Sequence, residues 1–404
     1  MTDRYDYLII GGGMAADAAA RGIRELDDSG TIGILSADAD PPYQRPPLSK
    51  DLWQEPEEGS DDTGGLDTIW LNTADDTGAD VRLRTVVTGI DRDGRQVSTE
   101  SGELVGYGKL LLATGSRPNR IEGLPEDERV VYFRSAQDYQ RVRSLAGAGE
   151  HAVVVGGGYI ATEVAAGLSR TGAKVSVVFT QDTFGSKTLP AEIASGVEQD
   201  YRDHGVTLHP GRRVTRGVAT DENLVLTLDD GTDLEADVVV VGVGAAPVVD
   251  LAADAGLEVG TGVIVDEHLR TADPLIWAVG DVAEYPDPVL GRTRVEHVDQ
   301  ATESGKAAGR AMAGDEAAYT HTPFFWSDLY DNGYEAIGRL DGSLDTLVDW
   351  SEDHSAAVVY YLENETPTGV LLWNTWDSVE QAQQVLADPP ARREDLLGRI
   401  TPGG

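Results

Sequence analysis

The stretch Tyr7-Leu8-Ile9-Ile10-Gly11-Gly12-Gly13-Met14-Ala15-Ala16 decides the fold, because its pattern returns as Ala152-Val153-Val154-Val155-Gly156-Gly157-Gly158-Tyr159-Ile160-Ala161. Each copy is an apolar run, three glycines, and then residues that favour a helix. A short run that is apolar on both faces reads as a buried parallel strand, and the glycines read as a sharp turn into the helix. After the first copy, 15–26 reads as helix and 31–35 as the next strand. After the second, 160–169 reads as helix, Gly172 ends it, and 174–179 is the next strand. Two βαβ openings imply an α/β protein with two Rossmann-like dinucleotide-binding domains.

Working outward, the alternating stretches 81–90 and 96–99 suggest a short antiparallel excursion. Three further apolar strands run into glycine-containing turns: 109–113 into Thr114-Gly115, 238–241 into Gly242-Val243-Gly244, and 275–279 into Gly280-Asp281, followed by a helix over 299–312. The last eighty residues change character. Phe324-Phe325-Trp326, Trp350, Tyr360-Tyr361, Trp373 and Trp376 make them aromatic-rich, and they read as a small α+β domain. The acidic, glycine-rich stretch 54–68 reads as a solvated, mobile loop.

With 404 residues the chain is too long for one core and is expected to hold two or three domains. Its 70 acidic against 32 basic residues give a formal net charge of −38. Such a surface repels polyanions, and without a basic footprint nucleic acid is excluded as a partner. Self-repulsion on this scale is screened only in concentrated salt, so a salt-adapted protein is expected. No apolar run is long enough for a membrane helix. The first strand begins almost at Met1, leaving no room for a leader, and a cytoplasmic location is expected. The chain has no cysteine, which removes disulfide exchange, thiolate metal ligands and thiol nucleophiles. No metal site is expected.

A pyrophosphate is held by backbone N–H groups at a helix N-terminus, which the chain can offer only where side chains are absent. Gly11, Gly13 and Ala16 meet that need, and so do Gly156, Gly158 and Ala161. One such turn alone also fits a tight βα connection without a ligand; the pair argues for two dinucleotides. An acid at the end of the following strand takes the ribose hydroxyls. Asp38 and Asp182 are the candidates, each slightly displaced. No arginine lies beside Gln181, although Lys187 is near, so NAD(H) is favoured and NADP(H) stays open.

The run Pro42-Tyr43-Gln44-Arg45-Pro46-Pro47-Leu48-Ser49-Lys50-Asp51-Leu52-Trp53 resembles the flavin-facing loop of FAD-dependent pyridine nucleotide reductases. Leu112-Ala113-Thr114-Gly115 and Ile276-Trp277-Ala278-Val279-Gly280-Asp281 look like their second and third flavin motifs. Val295-Glu296-His297, Phe325-Trp326-Ser327-Asp328-Leu329, Gly333-Tyr334-Glu335-Ala336-Ile337-Gly338 and Leu372-Trp373-Asn374 are similar to the apoptosis-inducing-factor-like branch. The resemblance implies the glutathione-reductase type of fold, with FAD-binding parts at 1–116 and 246–322, an NAD(P)-binding domain at 117–245 and a C-terminal domain at 323–404. It implies FAD contacts from Gly11, Gly12, Gly13, Met14, Ala15, Arg45, Lys50, Val87, Ala113, Thr114, Gly115, Arg134, Asp281 and His297, beside Asp38 from the strand-end reading above. Around the nicotinamide dinucleotide it implies Gly158, Tyr159, Ile160, Gly244, Glu296, Trp326, Glu335 and Asn374, with Gln181 and Lys187 near the adenosine end. Lys50 and Glu163 are implied as an ion pair beside the flavin N5. Ala37 and Gln181 depart from the branch, which usually has glutamate there, and the basic DNA-binding surface and the long insertion after Trp350 are missing.

The activity implied is hydride transfer from NADH to FAD and then to an external acceptor, with Lys50, Glu163 and His297 as catalytic candidates. Taken singly each has a plainer reading: Lys50 as a solvated lysine after a Pro-Pro turn, Glu163 as a helix N-terminal charge, His297, Trp326 and Tyr159 as packing residues. The acceptor is a small molecule or a small electron-transfer protein. A ferredoxin reductase of an oxygenase system is the nearest alternative, although such enzymes dock acidic partners through positive surface. A slow NADH-responsive redox sensor that dimerises on reduction is the other, and a homodimer is left open.

Overall fold

Residues 7–10 have register partners on both flanks, Ile32 to Leu35 on one side and Lys109 to Leu112 on the other, all parallel. Leu8 and Ile9 are wholly buried, which is why the run is apolar at every position. The second opening repeats the arrangement: Val155 lies between Val178 and Val241 as Ile10 lies between Leu35 and Leu112. The computed structural model describes residues 3–54 and 65–403, and the expected acidic loop falls largely outside them, at 55–64.

The chain divides into two compact units. Unit 1 comprises Met1–Arg45, Ile69–Arg117 and Ala246–Phe324; unit 2 comprises Pro46–Thr68, Pro118–Ala245 and Phe325–Gly404. The main sheet of unit 1 runs in the order Asp80–Arg82, Ile32–Leu35, Asp3–Ile10, Leu104–Leu112, Gln96–Thr99, Val87–Asp91, with Ile276–Ala278 also paired to Leu104–Leu112. Its helices Met14–Arg24 and Val298–Ala313 pack on each other.

Two expectations need adjustment here. The strand expected at 109–113 starts earlier, at Leu104, because residues 104–106 pair antiparallel with 96–98 while residues 110–112 pair parallel with 276–278. The stretch 81–90 is two strands: Asp80–Arg82 runs parallel to Ile32–Leu35, and only Val87–Asp91 belongs to the antiparallel excursion. Arg84, at φ +51°, turns the chain between them.

Unit 2 carries a five-stranded parallel sheet in the order Thr207–His209, Lys174–Val178, His151–Val155, Val238–Val241, Val130–Tyr132. The aromatic-rich end forms a second five-stranded sheet, from Phe324–Leu329 through Asn332–Gly338, Thr366–Trp373 and Ala357–Glu363 to Asp345–Trp350, with helix Val379–Ala387 packed on it. Tyr360 and Tyr361 are buried in it, whereas Trp376 is exposed. Among the described residues no helix is long and apolar enough to cross a membrane, and no cluster of His, Asp and Glu could hold a metal.

Candidate dinucleotide sites

Gly11 and Gly156 do the same work in the two units. Their φ values are +118° and +138°, and a Cβ on either would lie 2.1 Å from the Ala113 carbonyl oxygen or 2.2 Å from that of Gly242. Only glycine lets the strand turn that close to its parallel neighbour. Two residues on, Gly13 and Gly158 stand at the helix N-termini with φ −94° and −98° and no side-chain cap. A Cβ on Gly158 would meet nothing within 4 Å among the described residues; one on Gly13 would meet only Arg45 Nε, at 4.0 Å. Each helix N-terminus therefore lacks a side-chain cap and, among the described residues, has room beside its glycine, as the close approach of a pyrophosphate requires.

In unit 1, Ala113 lies beside Gly11 and Arg45 beside Gly13. Ala113 follows the strand that Gly11 abuts, Thr114 Oγ1 donates to the Val248 carbonyl at 2.7 Å, and Gly115 has φ +66°. Asp281 accepts from Ser116 Oγ at 2.6 Å, and Gly280 beside it packs against Ala15. Arg45 lies over the Tyr43 ring at 4.9 Å and 3.8 Å from Asp38. The Asp38 carboxylate is also tied to its own turn, accepting from Ala39 N at 2.8 Å. Met14 opens the helix half-buried, and Val87 is buried at the start of its strand. Glu296 pairs with Arg294 at 2.7 Å.

His297 is the N-cap residue of helix Val298–Ala313, and burial pushes its imidazolium down to about 4, with Asp281 and Asp299 pulling weakly the other way. It is therefore neutral near pH 7. Between pH 6.5 and about 4 the unfolded chain takes up a proton that the folded chain refuses. Stability from this residue is therefore present above 6.5 and lost as pH falls. His297→Gln should show a smaller fall in Tm than wild type between about pH 7 and 4.5; equal falls would show that burial does not hold the ring neutral.

In unit 2 the second cradle has a partner in Gln181. Its Oε1 lies 2.7 Å from where a Gly157 Cβ would sit, and is buried without a hydrogen-bond donor among the described residues. Leu35 and Val178 are the last paired residues of the two second strands, and Asp38 and Gln181 are each the third residue beyond. Asp182 and Lys187 are exposed, as is Ile160, and Gly244 has φ +90°. Tyr159 packs on Phe325 at 5.1 Å, and burial raises its hydroxyl to about 12.

Lys50 and Glu163 meet at 2.6 Å with side chains 7% and 4% exposed, so neither is the solvated charge of the plainer reading. Sequence reasoning missed three residues here: Ser49 and Ser327 donate to Glu163 at 2.6 and 2.7 Å, and Asp328 is a second acceptor for Lys50 at 3.2 Å. All three stood inside quoted motifs, but nothing in one dimension says that Ser49 and Ser327 reach the same carboxylate. The Trp326 ring centre is 6.0 Å from Lys50 Nζ. Glu335 has a buried Oε2 with no donor among the described residues, and its pKa is raised by burial and then by Asp377. The Asn374 amide is engaged by Gly333 N, Asn332 Oδ1 and the Ser355 carbonyl. Arg134 N donates to Asp138 ahead of helix Ala136–Leu145.

The profile of one protein family, pyridine nucleotide-disulphide oxidoreductase, matches residues 5–305. The chain belongs to that family. A second profile, the C-terminal domain of mitochondrion-associated apoptosis-inducing factor, matches residues 308–355. The chain is similar to the putative mitochondrial apoptosis-inducing factor 1 of Drosophila melanogaster, 30% identical over 94% of this chain and 63% of that protein, so it spans less than two thirds of that relative. It is also similar to the putidaredoxin reductase of Pseudomonas putida, 31% identical over 97% of this chain and 94% of that one. Among solved structures, putidaredoxin reductase in its covalent complex with putidaredoxin superposes with TM-score 0.88 at 29% identity, covering 98% of this chain and 95% of that one. This member of the pyridine nucleotide-disulphide oxidoreductases is an FAD-dependent NAD(P)H oxidoreductase. Having no cysteine, it works without the disulphide of the family's name.

Proposed function

We propose that the chain takes its hydride from NADH in preference to NADPH, and that its electrons leave to an acceptor outside the chain. The observation that carries the reading is the repeated cradle, in which a Cβ on Gly13 or Gly158 would meet no atom of the described residues closer than 4.0 Å. Nicotinamide supplies the hydride and FAD receives it. The chain's own residues do the rest. In unit 1, Arg45 balances phosphate charge and neutral His297 donates a hydrogen bond. In unit 2, Tyr159 fills the nicotinamide slot until the dinucleotide arrives, Glu335 lines it, and Lys50, held by Glu163, places positive charge where negative charge grows on reduction.

Gln181 decides the ribose end in this reading, since its donorless Oε1 suits a hydroxyl proton that a 2′-phosphate lacks. Gln181→Glu should raise the NADH over NADPH ratio of kcat/KM about tenfold, a carboxylate accepting more strongly and repelling phosphate. An unchanged ratio would pass the choice to Asp182 or the backbone.

The acceptor is a quinone or a small electron-transfer protein. The second is supported by the near full-length likeness to putidaredoxin reductase, and the acidic surface opposes it for an acidic partner. Steady-state NADH oxidation with quinone, ferredoxin and oxygen, beside the lifetime of the NADH-reduced protein in air, tests this. Fast turnover with one acceptor supports a turnover enzyme; slow rates with all of them and a long-lived reduced state would replace it with a redox sensor. The charge predicts salt dependence too. Dialysis from molar to dilute salt should release FAD and secondary structure; an unchanged circular dichroism spectrum would remove salt adaptation.

A further inference from the structure

Three buried donors from two separated stretches of unit 2 reach one buried carboxylate on a third. Glu163, on helix Tyr159–Arg170, accepts at Oε2 from Ser49 Oγ (2.6 Å), and at Oε1 from both Lys50 Nζ (2.6 Å) and Ser327 Oγ (2.7 Å). Ser49 is 4% exposed and Ser327 not at all. Lys50 has a second acceptor, Asp328 Oδ2 at 3.2 Å, whose side chain is 43% exposed. The ammonium thus sits between a buried carboxylate braced on both oxygens and an exposed one.

A carboxylate turns about its last carbon–carbon bond unless its two oxygens are tied separately, and a lysine stem has four torsions with which to follow another acceptor. Hydroxyls are suited to the tying: they donate to the ionised group without adding a charge that would compete with the ammonium. We infer that Ser49 and Ser327 are positioning residues, which fix the plane of the Glu163 carboxylate and so keep the Lys50 ammonium on it and off Asp328. This rests on the reading of Lys50 as the cation that serves hydride transfer. It makes the Trp-Ser-Asp run carry both parts of the choice: Ser327 steadies the buried acceptor and Asp328 offers the alternative.

The test follows the lysine itself. The chain has five lysines, Lys50, Lys109, Lys174, Lys187 and Lys306, so brief acylation of the flavin-loaded protein with an amine-reactive ester, read by peptide mass spectrometry, reports each. Lys50 should react about tenfold more slowly than exposed Lys187, and Ser327→Ala should raise its rate about fivefold by letting it swing toward Asp328. Ser327→Thr, which keeps the hydroxyl, should stay at the wild-type rate, and Ser327→Ala with Asp328→Asn should fall back toward it. Ser49→Ala, acting on the other oxygen, should move Lys50 the same way and stands in if Ser327→Ala does not fold. Unchanged Lys50 acylation in the folded alanine variants overturns the inference. Acylation that shifts as expected, in a protein whose Lys50→Ala variant is reduced at the wild-type rate, upholds the brace and instead removes Lys50 from the reaction.

Discussion

Lys50→Ala should slow reduction of the bound flavin by NADH about 10²-fold in a single turnover, while the protein stays yellow. Removing one group that stabilises developing charge in a water-poor site costs about 10²–10³ in rate. Retention of FAD is expected because the substitution leaves the first cradle, with Gly11, Gly13 and Arg45, unchanged. The substitution also strips a buried carboxylate of its counter-charge. That costs about 3–5 kcal/mol when nothing else compensates. Ser49 and Ser327 still donate to Glu163, so the loss of stability should fall below that range. Rapid-mixing absorbance with excess NADH measures the first effect, and urea unfolding the second. A single-turnover rate within twofold of wild type would take Lys50 out of the mechanism.

The two ends of the second glycine turn should respond in opposite ways to the same added methyl group. Gly156→Ala puts a Cβ 2.2 Å from the Gly242 carbonyl oxygen at φ +138°, so strand His151–Val155 cannot keep its place beside Val238–Val241 and unit 2 should fail to fold. Gly158→Ala adds its methyl at φ −98° into open space, so the protein should fold with its Tm nearly unchanged. What it should lose is the dinucleotide: KM for NADH should rise at least about tenfold, because the methyl occupies the approach of the pyrophosphate to the helix amides. Gly13→Ala is the counterpart in unit 1, its nearest neighbour the Arg45 guanidinium, and should lower FAD content. Gly158→Ala with a wild-type KM would mean that the turn is only a turn.

The parts legible in the sequence are those governed by neighbours along the chain. A strand buried on both faces must be apolar at every position, which identified residues 7–10 and 152–155. A sharp turn from strand to helix that must leave its backbone bare calls for glycine, which identified Gly11 and Gly156; that each also abuts the next parallel strand came from the structure. Asp80–Arg82 was placed with the wrong neighbours because a short half-exposed strand looks alike in parallel and antiparallel settings, and only pairing with Ile32–Leu35 tells them apart.

By itself, then, the sequence determined the two-fold α/β architecture, the FAD and nicotinamide dinucleotide cofactors, and the absence of thiol chemistry. These depend on local steric rules, on recurring motifs and on which residue types are present at all. Tertiary structure alone decided that the Lys50–Glu163 pair is buried, that Asp328 is a second acceptor for Lys50, that Ser49 and Ser327 both donate to Glu163, and that His297 is neutral. Hydrogen-bond geometry and desolvation depend on groups more than a hundred positions apart along the chain, as Ser49, Glu163 and Ser327 are, and no spacing rule along the chain encodes them.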